Sequence, residues 1–161
     1  MPFKVPSKLE AEIDELVTRY PVRRSASLML LHALQEHFGC ISDEAIEWTA
    51  AKLELQPINI LELVTFYPMY RREPVGRYQL KVCRTLSCAL GGSHKLRKFL
   101  CGKLGLSPNG HGPLTTQDRK FTVEFVECLA SCGTAPVMMC NEETHENVTL
   151  EKAEHILSRC S

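Results

Sequence analysis

Two pairs of cysteines, each placed where an alternating strand pattern runs out, constrain this chain more than any other feature. Cys83-Arg84-Thr85-Leu86-Ser87-Cys88 is a C-x4-C, and Cys128-Leu129-Ala130-Ser131-Cys132 is a C-x3-C. The first follows Tyr78, Leu80 and Val82, which alternate with polar residues. The second follows Phe121, Val123 and Phe125 in the same pattern, so a strand should run into each pair. Two such loops at the same end of one sheet would bring four thiolates together, as a metal or cluster site requires.

Four thiolates suit zinc or an iron–sulfur cluster. Zinc knuckles usually take tighter C-x2-C pairs. A [2Fe–2S] cluster is longer, and each iron takes two protein sulfurs, so one widely spaced pair per iron is natural. Ser87, Ala89, Gly91, Gly92, Ala130, Ser131 and Gly133 are small, which lets backbone amides approach the sulfurs. Zinc and unconnected thiols remain alternatives on spacing alone. A thioredoxin-type dithiol would need C-x-x-C, which neither pair has. The other cysteines, Cys40, Cys101, Cys140 and Cys160, show no pairing pattern and read as ordinary thiols, with Cys160 at an exposed terminus. The six histidines have no spacing matched to the cysteines, so histidine ligation is not expected.

The chain has 161 residues, eight of them cysteine. That is high for an intracellular chain and below the roughly 8–10% of a disulfide scaffold. Nineteen basic residues balance nineteen acidic ones, so no positive field for gripping nucleic acid is expected. The start has no apolar core of a signal peptide, and no apolar run is long enough to span a membrane. A cytoplasmic location is the expectation, and there thiols stay reduced.

Seven of the cysteines lie after Gly76, and before it Gly39 is the lone glycine. The chain therefore reads as two domains, 1–74 and 75–161. The first shows helical periodicity. Ser7 and Glu10 suggest a capping box, and Pro21 ends that helix. A second helix runs from about Ser25 to Gly39, a third opens at Ser42, and a fourth begins at Pro57 and Asn59. Helices this short need neighbours, which predicts a small bundle. In the second domain, a helix capped by Ser93 follows the first strand. A loop spans 107–116, and the second strand runs on to Cys128. A short strand covers 136–140, the polar run 141–147 turns toward one more short strand, and Thr149 caps a last helix. The order β-α-β-β-α predicts a mixed sheet covered by helices. The basic run His94-Lys95, Arg97-Lys98 reads as a solvated helix face, and the run from Thr65 to Tyr70 as packing between the two domains.

The residues around the pairs resemble the thioredoxin-like [2Fe–2S] ferredoxin subunit of NADH–quinone oxidoreductase, respiratory complex I. Val82-Cys83, Ser87-Cys88, Gly91-Gly92 and the run from Glu127 to Pro136 carry the likeness. So do Tyr20-Pro21, Arg23 to Ala26, Ser42 to Trp48, and Thr65-Phe66-Tyr67 with Met69. The resemblance covers roughly residues 8 to 158. It implies an α+β chain, a helical bundle followed by a thioredoxin-like domain. It implies Cys83, Cys88, Cys128 and Cys132 as ligands of one [2Fe–2S] cluster. It implies a flavoprotein partner carrying FMN and the NADH site, within a larger complex peripheral to the membrane. The chain itself has no G-x-G-x-x-G and no Walker A run, so no NADH site of its own is expected. NAD-reducing hydrogenases and formate dehydrogenases contain the same subunit type. Two departures from the family stand out. Gln117-Asp118-Arg119-Lys120 replaces an Asp-Gly turn, and Arg84, a cation, directly follows Cys83.

Overall fold

The computed structural model describes residues 3–108 and 112–160. The chain divides into two compact units, Met1–Pro74 and Val75–Ser161.

The first unit holds α1 (Ser7–Thr18), α2 (Ser27–Phe38), α3 (Asp43–Leu53) and α4 (Pro57–Phe66), with a 3-10 turn at Arg23–Ala26 leading into α2. The Ser7–Glu10 capping box does not form. Pro6 presets the entry at φ −58, and its carbonyl accepts from the Glu10 N–H at 2.9 Å. The Glu10 carboxylate instead receives Lys52 Nζ at 2.9 Å. Gly39 closes α2 at φ 80, a left-handed conformation that suits glycine. Ser42 caps α3, its hydroxyl accepting from Ala45 N–H at 3.2 Å. Ile13, Leu30, Leu31, Leu34, Ile41, Leu53 and Ile60 are sealed in the core between the helices. The Thr65–Tyr70 run is split in its roles. Tyr70 is buried in this unit's own core, with its hydroxyl donating to the Leu28 carbonyl at 2.8 Å, while Phe66 and Met69 are exposed.

The second unit is built on a five-stranded sheet. Its strands are β1 (Tyr78–Cys83), β2 (Leu114–Thr115), β3 (Phe121–Val126), β4 (Met138–Cys140) and β5 (Glu143–His145), in the order β2-β3-β1-β4-β5. β1 and β3 are parallel neighbours in the register Tyr78↔Phe121 to Cys83↔Val126, and the other pairings are antiparallel. Helices α5 (Leu86–Leu90), α6 (Ser93–Lys103) and α7 (Leu150–Arg159) complete it. This is a mixed sheet with helical cover, of thioredoxin-like type. Leu80, Val82, Leu96, Leu100, Val123 and Met138 form its core at 0–1% exposure. Cutting one back to alanine should cost roughly 2–4 kcal/mol.

Several local expectations are corrected. The second strand stops at Val126, so Cys128 lies two residues into the following loop. The 107–116 segment holds β2, and β5 falls inside the 141–147 run. Residues 109–111, in the middle of the first of these, lie outside the described residues. Ser93 is the first buried residue of α6, which is entered through Gly92 at φ 100. The basic face is only partly solvated: Arg97 is buried, its guanidinium 4.8 Å from the centre of the Phe125 ring. Cys160 is buried too, at 8% exposure.

Candidate metal centre

Because β1 and β3 are adjacent and parallel, their C-terminal ends lie side by side, and the loops leaving them carry the two cysteine pairs. Cys83 is the last residue of β1. The chain then turns at Thr85 and enters α5, which presents Cys88 from its first turn. Cys83 and Cys88 are sealed at 1% and 3% exposure, against Val137, Leu129 and Ala135. Cys128 and Cys132 are exposed. Between them Ala130 is left-handed at φ 61, which tightens the loop and turns the two sulfurs toward each other.

The sulfurs stand in two pairs. Cys128 Sγ and Cys132 Sγ are 4.0 Å apart. Two thiolates on one tetrahedral ion, at metal–sulfur bonds of about 2.3 Å, would be about 3.8 Å apart. Cys83 and Cys88 are in hydrogen-bonding contact with each other, and Cys88 lies within electrostatic reach of Cys132. Among the described residues, no three His, Cys, Asp or Glu side chains converge tightly enough for a single ion. One pair with the bite of a single metal, beside a second pair of neighbouring thiols, suits two irons bridged by sulfide better than one zinc at a common centre.

Backbone amides are aimed at these sulfurs. Ala130 N–H donates to Cys128 Sγ at 3.3 Å. Cys83 receives the amides of Leu129 and Thr85, and Thr85 Oγ1 is 3.2 Å away. The Leu129 contact crosses from the second loop to the first. Val137 N–H serves Cys88. Burial pushes the Cys83 thiol up, but these hydrogen bonds outweigh it and the net shift is downward. Cys88 moves the other way, raised by burial and then by the Cys83 thiol beside it. Donors clustered on sulfur stabilise thiolate charge, and that is the environment an iron–sulfur site needs.

Other contacts hold the loops in place. Arg84 donates through Nε to Glu127 Oε1 at 2.9 Å, and its second nitrogen reaches the same oxygen. This ion pair joins the residue after Cys83 to the residue before Cys128. Arg84 is therefore not the isolated cation its position in the sequence suggested. A Cβ on Gly91 would lie 3.1 Å from Ala135 Cβ and 3.2 Å from Pro136 N, so the end of α5 packs directly on the segment after Cys132. Ser131 Oγ contacts Glu146 and lies 3.0 Å from Thr134 Oγ1. The Ser131 and Thr134 hydroxyls hold the Glu146 carboxyl below its usual range. Sequence reasoning missed the Arg84–Glu127 and Ser131–Glu146 links. An adjacent Glu127-Cys128 facing Cys83-Arg84 across parallel strands was the signal for the first. On the surface of α5, Leu86 and Leu90 stand 76% and 81% exposed beside Cys88.

Comparison with known proteins agrees with this architecture. The model of the thioredoxin-like [2Fe–2S] ferredoxin family matches residues 13–161. The chain is 36% identical over 158 residues to an NADH-quinone oxidoreductase subunit from Aquifex aeolicus, covering 98% of this chain and 96% of that one. It is 38% identical over 149 residues to an NADH-quinone oxidoreductase subunit from Thermus thermophilus, covering 91% of this chain and 80% of that one. Among solved structures, an NAD+-reducing [NiFe]-hydrogenase superposes with a TM-score of 0.70 at 18% identity, over 84% of this chain and 22% of the hydrogenase chain. That likeness is one of fold. On the match of residues 13–161 to its model and on relatives above 30% identity, the chain belongs to the thioredoxin-like [2Fe–2S] ferredoxin family.

Proposed function

We propose that this chain is an electron-transfer subunit of an NADH–quinone oxidoreductase, in which Cys83, Cys88, Cys128 and Cys132 hold one [2Fe–2S] cluster. The observation that carries the reading is the placement of two cysteine pairs on the adjacent ends of parallel strands, with the Cys128–Cys132 sulfurs 4.0 Å apart and backbone amides aimed at the thiols. When bound, the cluster supplies one-electron transfer without proton transfer at the metal. The protein's part is to bind it, to shield Cys83 and Cys88, and to fix the charge around it. No general acid, base or nucleophile is assigned.

The partner in this reading is a flavoprotein that carries FMN and oxidises NADH, within a larger complex. This chain supplies the electron stop and the partner supplies the NADH site. The exposed Leu86 and Leu90 beside Cys88 support a protein face close to the cluster loops. No helix of the described residues is long and apolar enough to cross a membrane. A peripheral place on the cytoplasmic side of a membrane complex fits the oxidoreductase subunits that the chain resembles.

The test is anaerobic purification followed by visible and EPR spectra, with iron, zinc and acid-labile sulfide analysis. Two irons and two sulfides per chain are expected, as in any [2Fe–2S] protein. A colourless protein loaded with zinc overturns the reading. The sequence resemblance also allows a second parent complex, an NAD-reducing hydrogenase or an NAD-linked formate dehydrogenase. Identifying the proteins that co-purify with the FMN subunit decides between the two.

A further inference from the structure

The two cysteine loops are held by different means. Cys83 and Cys88 sit among apolar side chains. The second loop ends in a 3-10 turn, Cys132–Thr134, whose outer side is bare. Cys132 is exposed, and a Cβ built on Gly133 would meet nothing within 4 Å. What fastens this turn is polar, and it comes from the segment between β5 and α7. Asn147 N–H donates to the Thr134 carbonyl at 2.7 Å, and Val148 N–H to the Pro136 carbonyl at 2.9 Å. These bonds hold the chain after Cys132. On the other side of Cys132 the link is made by side chains. Ser131, directly before that cysteine, donates its hydroxyl to the Glu146 carboxylate. Thr134 Oγ1 lies 3.0 Å from Ser131 Oγ and donates to the Ser131 carbonyl at 3.1 Å, which closes the turn on itself. Glu146 is anchored in its turn. Lys152 Nζ donates to its carbonyl at 2.6 Å, and Val148, two residues on, is buried.

We propose that Glu146 is a positioning residue for the cluster, which acts through the Ser131 hydroxyl to fix the orientation of Cys132 toward Cys128. The proposal rests on the reading of those two cysteines as ligands. Ser131 is bonded directly to Cys132, so a rotation at Ser131 carries the Cys132 sulfur with it. The quantity at stake is the 4.0 Å separation from Cys128 Sγ, which one iron must find ready-made. A hydrogen bond to a carboxylate is stronger than one between neutral groups, so it limits that rotation better than a bond to a neutral acceptor. Glu146 lies outside both cysteine loops, in the segment that leads into α7. It therefore ties the open ligand pair to a part of the sheet that carries no ligand. Its role is a matter of the acceptor oxygen it offers to Ser131, and a glutamine at the same place would still offer one.

The test uses the full chain purified anaerobically with its cluster. Ser131→Ala removes the donor, Glu146→Ala removes the acceptor, and Glu146→Gln keeps an acceptor oxygen. In the two alanine variants the EPR g-values of the reduced cluster should shift in the same direction. Iron release to a chelator should quicken roughly tenfold, as the loss of one hydrogen bond to a charged group implies. Glu146→Gln should keep the wild-type g-values and release iron within about twofold of the wild-type rate. The double variant of Ser131→Ala with Glu146→Ala should be no worse than either single one, because both act through one bond. The proposal is overturned if the alanine variants keep the wild-type g-values, or if their effects add. It is also overturned if Glu146→Gln behaves like Glu146→Ala, or if faster iron release only follows a lower Tm of the metal-free chain. If Glu146→Ala folds poorly, Ser131→Ala and Glu146→Gln still decide. A wild type without iron and sulfide overturns the cluster reading and this proposal with it, whereas an iron-loaded wild type with unaltered variants overturns this proposal alone.

Discussion

Cys83 and Cys88 lie at 1% and 3% exposure behind Val137, Leu129 and Ala135, whereas Cys128 and Cys132, on the next strand's loop, are open to solvent. The two pairs serve the same proposed cluster, yet they are built differently. The first is anchored by a strand end and by the start of α5. The second is a tight loop shaped by Ala130 at φ 61. The difference suggests a division of labour. The sealed pair sets the environment, and the open pair gives iron and sulfide a way in.

The sharpest way to break this comparison is ligand replacement. Cys83→Ser and Cys88→Ser should lose the cluster altogether, because a hard oxygen in a sealed site cannot be rescued by rearrangement or water. Cys128→Ser and Cys132→Ser should keep a labile cluster with an altered spectrum. Iron content and EPR after anaerobic purification check this, and equal behaviour of all four variants would erase the distinction. Any variant with an unchanged spectrum removes that residue from the ligand set.

A second prediction concerns the metal-free chain. An exposed-thiol reagent should modify Cys128 and Cys132 first. Reaching Cys83 or Cys88 needs local opening, and each 1.4 kcal/mol or so of opening slows labelling about tenfold. Reconstitution with iron and sulfide should protect all four. Rapid labelling of Cys88 would show that the first pair is not sealed.

A smaller effect tests how charge bridges the two loops. Arg84 and Glu127 form a pair with 47% and 69% side-chain exposure, so solvent screens them. Reduction adds negative charge at the cluster. Arg84→Thr should therefore lower the potential and Glu127→Gln should raise it, each on the order of 20–60 mV. The double variant should lie near the wild type. A redox titration that finds no shift, or an upward shift for Arg84→Thr, would sink the electrostatic account.

The smallest effect is a control that leaves both pairs alike. Arg119 occupies a left-handed turn at φ 54 between β2 and β3, where glycine is unstrained. Arg119→Gly should stabilise the chain by about 1 kcal/mol, read as a rise in Tm with an unchanged cluster spectrum.

Much of this site was legible because the strand pattern carries strong signals. Tyr78, Leu80 and Val82, then Phe121, Val123 and Phe125, alternate clearly, and each run points at a cysteine pair. The short pieces were not legible. α5 is five residues long, too brief for a helical period, and β2 is two residues inside a segment rich in proline and glycine. Burial on both faces of a central strand was also hidden. Thr122 and Glu124 read as a polar face, but β3 is covered on both sides, so both are buried. Thr122 Oγ1 accepts the Gly76 N–H at 2.6 Å. Arg97 illustrates the same limit: a cation can enter a core once an aromatic face such as Phe125 receives it. The Ser7 reading failed because Pro6 already starts α1.

The parallel pairing of β1 with β3 also governs the order of assembly. Cys83↔Val126 is a register contact between segments far apart in sequence, closed only after α5, α6 and the intervening loop have been laid down. Such non-local contacts form late and slowly. The four proposed ligands are therefore not gathered in the unfolded chain, so on the proposed reading the free energy of cluster binding becomes folding free energy. A cell that withholds iron or sulfide would be left with a less stable chain whose open thiols invite mispairing.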